Sequence, residues 1–196
     1  MTVRDDFRCA SVGVPSFGMS RYFTELNNLK FALSIRRVRA TDGLSCRELV
    51  LAALRDSPDA FGTTFEEANA RSENWWLTRV RELADAEDQA MFFACSNSEL
   101  RASVAVALGK PAAHIGGMWV RPDCRRNGIG KSLLTEAILW AEGKGASSID
   151  LWVTEGNQRA VSLYERVGFS VTGEQDALRP GSLLRRNRMV RQKAQT

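Results

Sequence analysis

The chain reads as an α/β domain built on a mixed sheet, and three observations carry that reading. Short runs rich in Val, Ile, Phe and Trp alternate with segments of helical period, in the order βααβββαβαββ. Clusters of turn-forming residues separate them, among them Ser57-Pro58-Asp59, Ser96-Asn97-Ser98-Glu99 and Arg121-Pro122-Asp123. A length of 196 residues, with 44% hydrophobic and 26% charged side chains, supplies one ordinary globular core and leaves material for an extension.

Residues 1–33 mix Phe, Arg, Ser and Gly without a sustained period, and Gly13, Pro15 and Gly18 interrupt the first half. They are expected to be a flexible N-terminal extension, or to lie partly upstream of a later start such as Met19. The domain is placed at 34–196 and ends in a short basic tail. Its first strand covers 34–39. A helix follows, with Ser45 and Glu48 in capping-box spacing ahead of Leu49-Val50-Leu51. Ser57-Pro58-Asp59 stops it. Thr64 and Glu67 repeat the spacing and open a second helix, which carries Trp75, Trp76, Leu77 and Val80 and ends near Leu83. Segments 90–95 and 100–108 form a hairpin. A third strand covers 114–120. Ile129, Leu133, Ala137 and Trp140 or Ala141 share one face of a helix over 128–142. Segment 148–153 is a strand, and 157–167 a helix closed by Gly168. Strands at about 169–174 and 184–190 complete the order.

The charge is unevenly placed. The net value is +4 and the pI about 9.1. Six basic residues stand at or after Arg179, and no acidic residue follows Asp176. Residues 1–178 thus hold 21 basic against 23 acidic side chains, a net −2. The body is not a basic surface, and no nucleic-acid partner is expected. No apolar run approaches the roughly eighteen residues of a membrane span, and no basic start leads an apolar core, so neither a membrane nor an export signal is expected. Cys9, Cys46, Cys95 and Cys124 form no CxxC and His114 is the sole histidine, so no metal is expected and the thiols suit a reducing cytoplasm.

The stretch Arg125-Arg126-Asn127-Gly128-Ile129-Gly130-Lys131-Ser132 lies between a strand and a helix. Glycines there let the backbone aim N–H groups at an anion, and the helix start adds its positive end. A phosphate cradle and a plain tight turn both fit this much. The P-loop pattern needs glycine where Arg125 stands, and the dinucleotide pattern needs it where Leu133 stands, so both nucleotide motifs fail by one residue.

The segment Val120-Arg121-Pro122-Asp123-Cys124-Arg125-Arg126-Asn127-Gly128-Ile129-Gly130-Lys131-Ser132-Leu133-Leu134 closely resembles motif A of the GCN5-related N-acetyltransferase (GNAT) family, with the signature (Q/R)xxGx(G/A). Asn157-Gln158-Arg159-Ala160-Val161-Ser162-Leu163-Tyr164-Glu165-Arg166-Val167-Gly168-Phe169 resembles its motif B, NxxAxxLYxxxGF. The resemblance covers about 34–191 and is strongest over 114–174.

It implies a GNAT-type sheet, mixed and mostly antiparallel, with a splayed parallel strand pair and helices on both faces. It implies acetyl-CoA as cosubstrate, with no metal, and direct attack of a primary amine of a small molecule or peptide on the thioester. Backbone groups of Met118, Trp119 and Val120 are expected along the pantetheine arm, and an N–H there on the thioester carbonyl. Backbone N–H groups over 125–130 are expected on the pyrophosphate, where a side chain at Gly128 would fill the phosphates' space, with Lys131 and Ser132 beside them. Asn157 and Ala160 belong to the pantetheine site. Tyr164 is the candidate acid for the departing thiolate, and a wetted core tyrosine is the alternative.

His114 stands eleven residues before Arg125, where histone-acetylating relatives carry a catalytic glutamate. It is the candidate base, with Glu155 or water alone as alternatives. The Pro58-to-Glu67 connection looks like a form found in members with small acceptors; Phe61, Phe65, Glu66 and Glu67 are candidate acceptor residues, and one of Trp75 and Trp76 is expected in the core. A homodimer is expected by analogy alone. A non-catalytic acyl-CoA-binding module of the same fold remains the alternative, and acceptor and acyl-chain length stay open.

Overall fold

Alternation along the strands sends apolar side chains to both faces of one sheet, and helices close each face. A computed structural model describes residues 33–96 and 98–193; the expectation for the N-terminal extension lies outside them, Leu33 excepted. The described elements are β1 (Ser34–Arg37), α1 (Gly43–Asp56), α2 (Phe65–Asn69), α3 (Glu73–Asp85), β2 (Gln89–Ser96), β3 (Glu99–Ala107), β4 (Ala113–Val120), α4 (Ile129–Gly143), β5 (Ser148–Thr154), α5 (Gln158–Glu165), β6 (Ser170–Ala177) and β7 (Arg185–Gln192). The sheet order is β1-β2-β3-β4-β5-β7-β6, antiparallel except for the β4–β5 pair.

Strand β2, between β1 and β3, shows how the layers form. Ala90, Phe92 and Ala94 face one core with Ile129, Leu133, Ala137 and Ala141 of α4 and Tyr164 of α5. Met91, Phe93 and Cys95 face the other, with Cys46, Leu49 and Leu54 of α1 and Trp76, Val80 and Leu83 of α3. A strand buried on both sides needs this continuous apolar run. Cys46, Cys95 and Cys124 are buried and unpaired. No described helix is long and apolar enough to cross a membrane.

Two helix starts differ from expectation. α1 begins at Gly43, so Ser45 lies inside it and is not its cap. Asp42 ends the preceding turn, Ala40–Asp42: its carboxylate takes a forked pair of hydrogen bonds from Arg36 at 2.6 and 2.8 Å and accepts the Arg39 N–H at 2.7 Å. Arg36 reaches Asp42 from β1, a tertiary partner that local spacing does not reveal. The single second helix is two. Thr64 and Glu67 do form the capping box, through bonds of 3.1 and 2.8 Å. That helix stops at Asn69, however, and Ser72 caps α3 by accepting the Trp75 N–H at 3.2 Å. A second local cap offers the backbone a fresh start, which a continuous apolar period conceals.

The feature that positions the site is a bulge in β4. On β3, Ser103 and Ala105 pair with Trp119 and Gly116, so β4 holds one residue more than β3 over this step. Gly117 takes a left-handed φ of +59° there, and its carbonyl accepts the Ser103 hydroxyl at 3.1 Å. The bulge resets the alternation. Ile115, Met118 and Val120 pack toward α4, and Trp119 packs toward α1. We expect Gly117→Ala to destabilise the protein by about 1–2 kcal/mol, because a Cβ is disfavoured at that φ; urea unfolding monitored by tryptophan fluorescence measures this.

Candidate active site

The parallel ladder is short. Ala113, His114 and Ile115 of β4 pair with Ile149, Asp150 and Leu151 of β5, and the pairing then stops. Beyond it, Gly116 to Val120 and Trp152 to Thr154 diverge. Met118, Trp119 and Val120 therefore carry backbone groups on the open edge of β4, where an extended chain can add like a strand.

At the end of β4 the turn Pro122–Cys124 leads to the glycine loop. Arg125 is held on the protein at three points: its N–H reaches the Pro122 carbonyl at 3.3 Å, its Nε the Val120 carbonyl at 2.9 Å, and its Nη2 pairs with Asp56. Arg126 and Gly128 both have left-handed φ, +68° and +77°. Among the described residues, the backbone N–H groups of Arg126, Asn127, Gly128, Ile129, Gly130 and Lys131 find no backbone acceptor. They gather at the positive end of α4, with Arg126 and Lys131 exposed beside them, an arrangement suited to an anion. The Asn127 amide is turned inward to the Cys124 carbonyl at 3.3 Å, and the Ser132 hydroxyl back to the Gly128 carbonyl at 3.4 Å.

The two glycines serve different ends. A Cβ on Gly128 would meet no described atom within 4 Å, so the protein itself demands glycine there for φ and leaves the space in front open. A Cβ on Gly130 would stand 3.2 Å from both Leu163 and Met118, so glycine there lets α4 sit close on α5 and β4.

Asn157 caps α5, its Oδ1 accepting the Ala160 N–H at 3.2 Å. Ala160 is half-buried against the α4-side core, and Tyr164 is buried, its ring 6.1 Å from that of Phe169. Burial pushes the Tyr164 phenol up to about 12. It stays protonated through the neutral range.

The opposite face of the sheet holds His114. Its imidazole Nδ1 lies 2.6 Å from Asp150 Oδ1, across the parallel ladder. Farther along β5, Asp56, Ser57, Pro58, Asp59, Ala60, Thr154, Glu155 and Asn157 line a cavity of about 330 Å³, and His114 is not among its lining residues. The Thr154 hydroxyl donates to the Asp59 carbonyl at 2.6 Å, and Arg179 after β6 donates to the carbonyls of Pro58 and Phe61 at 3.1 and 3.0 Å. These bonds tie the α1–α2 connection to the sheet and to the β6–β7 loop.

Glu155, the alternative base, lines the cavity, whereas the candidate acceptor residues Phe61 and Phe65 pack on the α1-side core, Arg55 lying over the Phe65 ring at 4.4 Å. Glu67 is held in the α2 cap and Glu66 is exposed. Trp76 is core, and Trp75 lies outside it beneath Arg71. Sequence reasoning did not find Asp56, Asp59, Asp150 or Thr154. The alternation Asp150, Trp152, Thr154 along β5 was the one local sign that these share a face.

The architecture joins a split sheet to a loop of unpaired N–H groups at a helix N-terminus. Residues 50–169 match the family model described as Acetyltransferase (GNAT) family, and the chain belongs to that family. It is 41% identical over 63 residues to mycothiol acetyltransferase of Propionibacterium freudenreichii, covering 32% of this chain and 20% of that protein. It is 26% identical over 179 residues to an uncharacterized N-acetyltransferase of Methanocaldococcus jannaschii, covering 84% of this chain and 68% of the relative. The chain thus spans about a fifth of the first of these relatives and two thirds of the second. A solved acetyltransferase of Salmonella typhimurium with its cofactor acetyl-CoA shares the fold at TM-score 0.67 and 17% identity, over 84% of this chain and 95% of that one.

Asp56 links both sides of the site. Burial alone would raise its carboxyl, but hydrogen bonds from Ser57, Trp119 and Arg125 outweigh this and hold it below the usual carboxylate range. A depressed folded-state value contributes stability that is complete above the unfolded value and is lost as pH falls through the folded one. Thermal stability should therefore decline as pH drops below about 4. Asp56→Asn should melt lower at pH 7 and lose less on acidification, which calorimetry across pH 2.5–7 would check, taken as roughly the carboxylate titration window.

Proposed function

We propose that the protein is an acetyl-CoA-dependent N-acetyltransferase acting on a primary amine of a small molecule or peptide. The observation that carries this is the divergence of β4 and β5 after Ile115, which opens between free N–H groups on one side and a carboxylate-lined cavity on the other. The acetyl-CoA held by the Salmonella relative supports the choice of cosubstrate. Three buried free thiols fit a cytoplasmic setting.

Each chain element then has a task. The N–H groups of Arg126 to Lys131 hold the pyrophosphate, and the open edge at Met118, Trp119 and Val120 aligns the pantetheine arm, with Asn157 opposite. Arg125 acts by bracing the loop against Asp56 and β4, leaving charge on the anion to Arg126 and Lys131. Acetyl-CoA supplies an activated thioester. Asp59 and Glu155 at the cavity raise the local concentration of a cationic amine. His114 takes a proton from the incoming ammonium. As the new C–N bond forms and the C–S bond breaks, Tyr164 gives its proton to sulfur.

Acetyl-CoA at a hundred times its Kd should stabilise the fold by about 2.7 kcal/mol, read as a rise in melting temperature. No rise with acetyl-CoA or CoA would overturn the cofactor assignment. Tyr164→Phe should keep that rise and lose about 10²-fold in thiol release with a productive amine. Binding without thiol release across a broad amine panel would make the protein a non-catalytic acyl-CoA module instead.

A further inference from the structure

His114 does not stand alone. In the ladder it pairs with Asp150 of β5, and its β3 partner is Ala107, which carries no charge. Asp150 splits its two oxygens between neighbours. Oδ1 faces His114 Nδ1 at 2.6 Å, and Oδ2 accepts from Arg188 of β7, Nη2 at 2.6 Å and Nε at 3.0 Å. Arg188 is fixed in turn by Glu174 of β6, which accepts from its Nη1 at 2.8 Å. The four side chains form one line across β4, β5, β7 and β6. Asp150 is only 13% exposed in it, whereas His114 is 49% exposed.

We propose that Asp150, clamped by Arg188, is a positioning residue that keeps the proton of neutral His114 on Nδ1 and so leaves Nε2 free to take the proton of the acceptor amine. The inference rests on the reading of His114 as the base. An ionised carboxylate accepts only, so the nitrogen facing it must carry the hydrogen. Arg188 donates twice to Oδ2, so the carboxyl cannot swing away. Nε2 is then the bare nitrogen, and it points along β4 toward the opening. Nε2 and Cδ2 lie 3.7 and 3.9 Å from where a Cβ on Gly116 would stand, and Gly116 is the first β4 residue past the paired segment.

The protons balance. The ammonium gives one proton to Nε2, which passes it to solvent from the exposed ring. On attack the amine nitrogen forms its bond to the carbonyl carbon and the C–S bond breaks. Sulfur takes the Tyr164 proton, the nitrogen gives its second proton to water, and water reprotonates the phenolate. One proton leaves per turnover.

The same geometry makes a specific prediction for Asp150→Asn. Arg188 can only donate, so the amide must turn its oxygen to Arg188 and its NH2 to His114. The NH2 then donates to Nδ1 and moves the imidazole proton to Nε2. His114 is the single histidine of the chain, so its ring gives one unambiguous ¹⁵N–¹H long-range NMR pattern in the ligand-free full-length protein. The wild type should show protonated Nδ1 and bare Nε2. Asp150→Asn should show the reverse, and adding Arg188→Met should restore part of the original pattern by freeing the amide to rotate. Should Asp150→Asn fail to fold, Asp150→Ala serves: without an acceptor the ring should return to the mixed tautomers of free imidazole. A wild-type ring protonated on Nε2, or a tautomer unchanged in folded variants, overturns the proposal.

Kinetics separate it from the reading beneath it. With a primary amine identified by thiol release, Asp150→Asn should lose about 10²-fold in kcat/KM below the amine's own pKa, and the loss should shrink above it, where the amine arrives neutral. Loss in His114→Gln with full activity in Asp150→Asn overturns the positioning role alone. Full activity in His114→Gln overturns the base itself, whatever the tautomer.

Discussion

Backbone N–H and C=O groups in the middle of a sheet are held by their neighbours, and β4 and β5 depart from that constraint after Ile115 and Leu151. Two edges are left open inside the protein instead of at its margin. A bulge stands where the pairing ends: at Gly117, β4 holds one residue more than β3, and the Ser103 hydroxyl donates to the Gly117 carbonyl. The other features of the site are arranged around this gap: the glycine loop at its end, Tyr164 beside it in one core, His114 at its apex on the opposite face.

The bulge also assigns chemistry to faces. An unbroken alternation would have sent Ile115 and Trp119 to the same side. With one extra residue, Met118 and Val120 pack beneath Gly130 and Leu163, and Trp119 turns to α1, where its indole N–H donates to Asp56 at 2.9 Å. Asp56 also receives Arg125 and Ser57, so one carboxylate couples the end of α1, the core of β4 and the start of the anion loop. The positive charge that matters here is set by that coupling and by α4's N-terminus, not by the chain's net +4.

Much of the fold was legible because it is written in short-range pattern. The helical period over α4, the alternation along β2 and β3, and the Asn157 and Thr64 caps each involve residues within a few positions of one another. The errors have two origins: Asp42 before α1 is held by Arg36 from another element, and the break before α3 arises from a second local cap inside an unbroken apolar period. Similarly, the two motifs marked the loop and Tyr164, yet the wall of the cavity beside β5 is held together by Asp59, Thr154 and Arg179, which come from three distant segments.

By itself the sequence determined the strands, the helices apart from the division between α2 and α3, the glycine loop and the two motifs, since spacing and backbone conformational preference act over neighbouring residues. Register across the sheet was beyond it. That His114 meets Asp150 and that Asp150 is shared with Arg188 are consequences of strand pairing, and that Arg125 turns to Asp56 is a consequence of the packing of α1 on the sheet, all between segments tens of residues apart. Such contacts exist only once the chain has closed on itself, and the tertiary structure alone decided them.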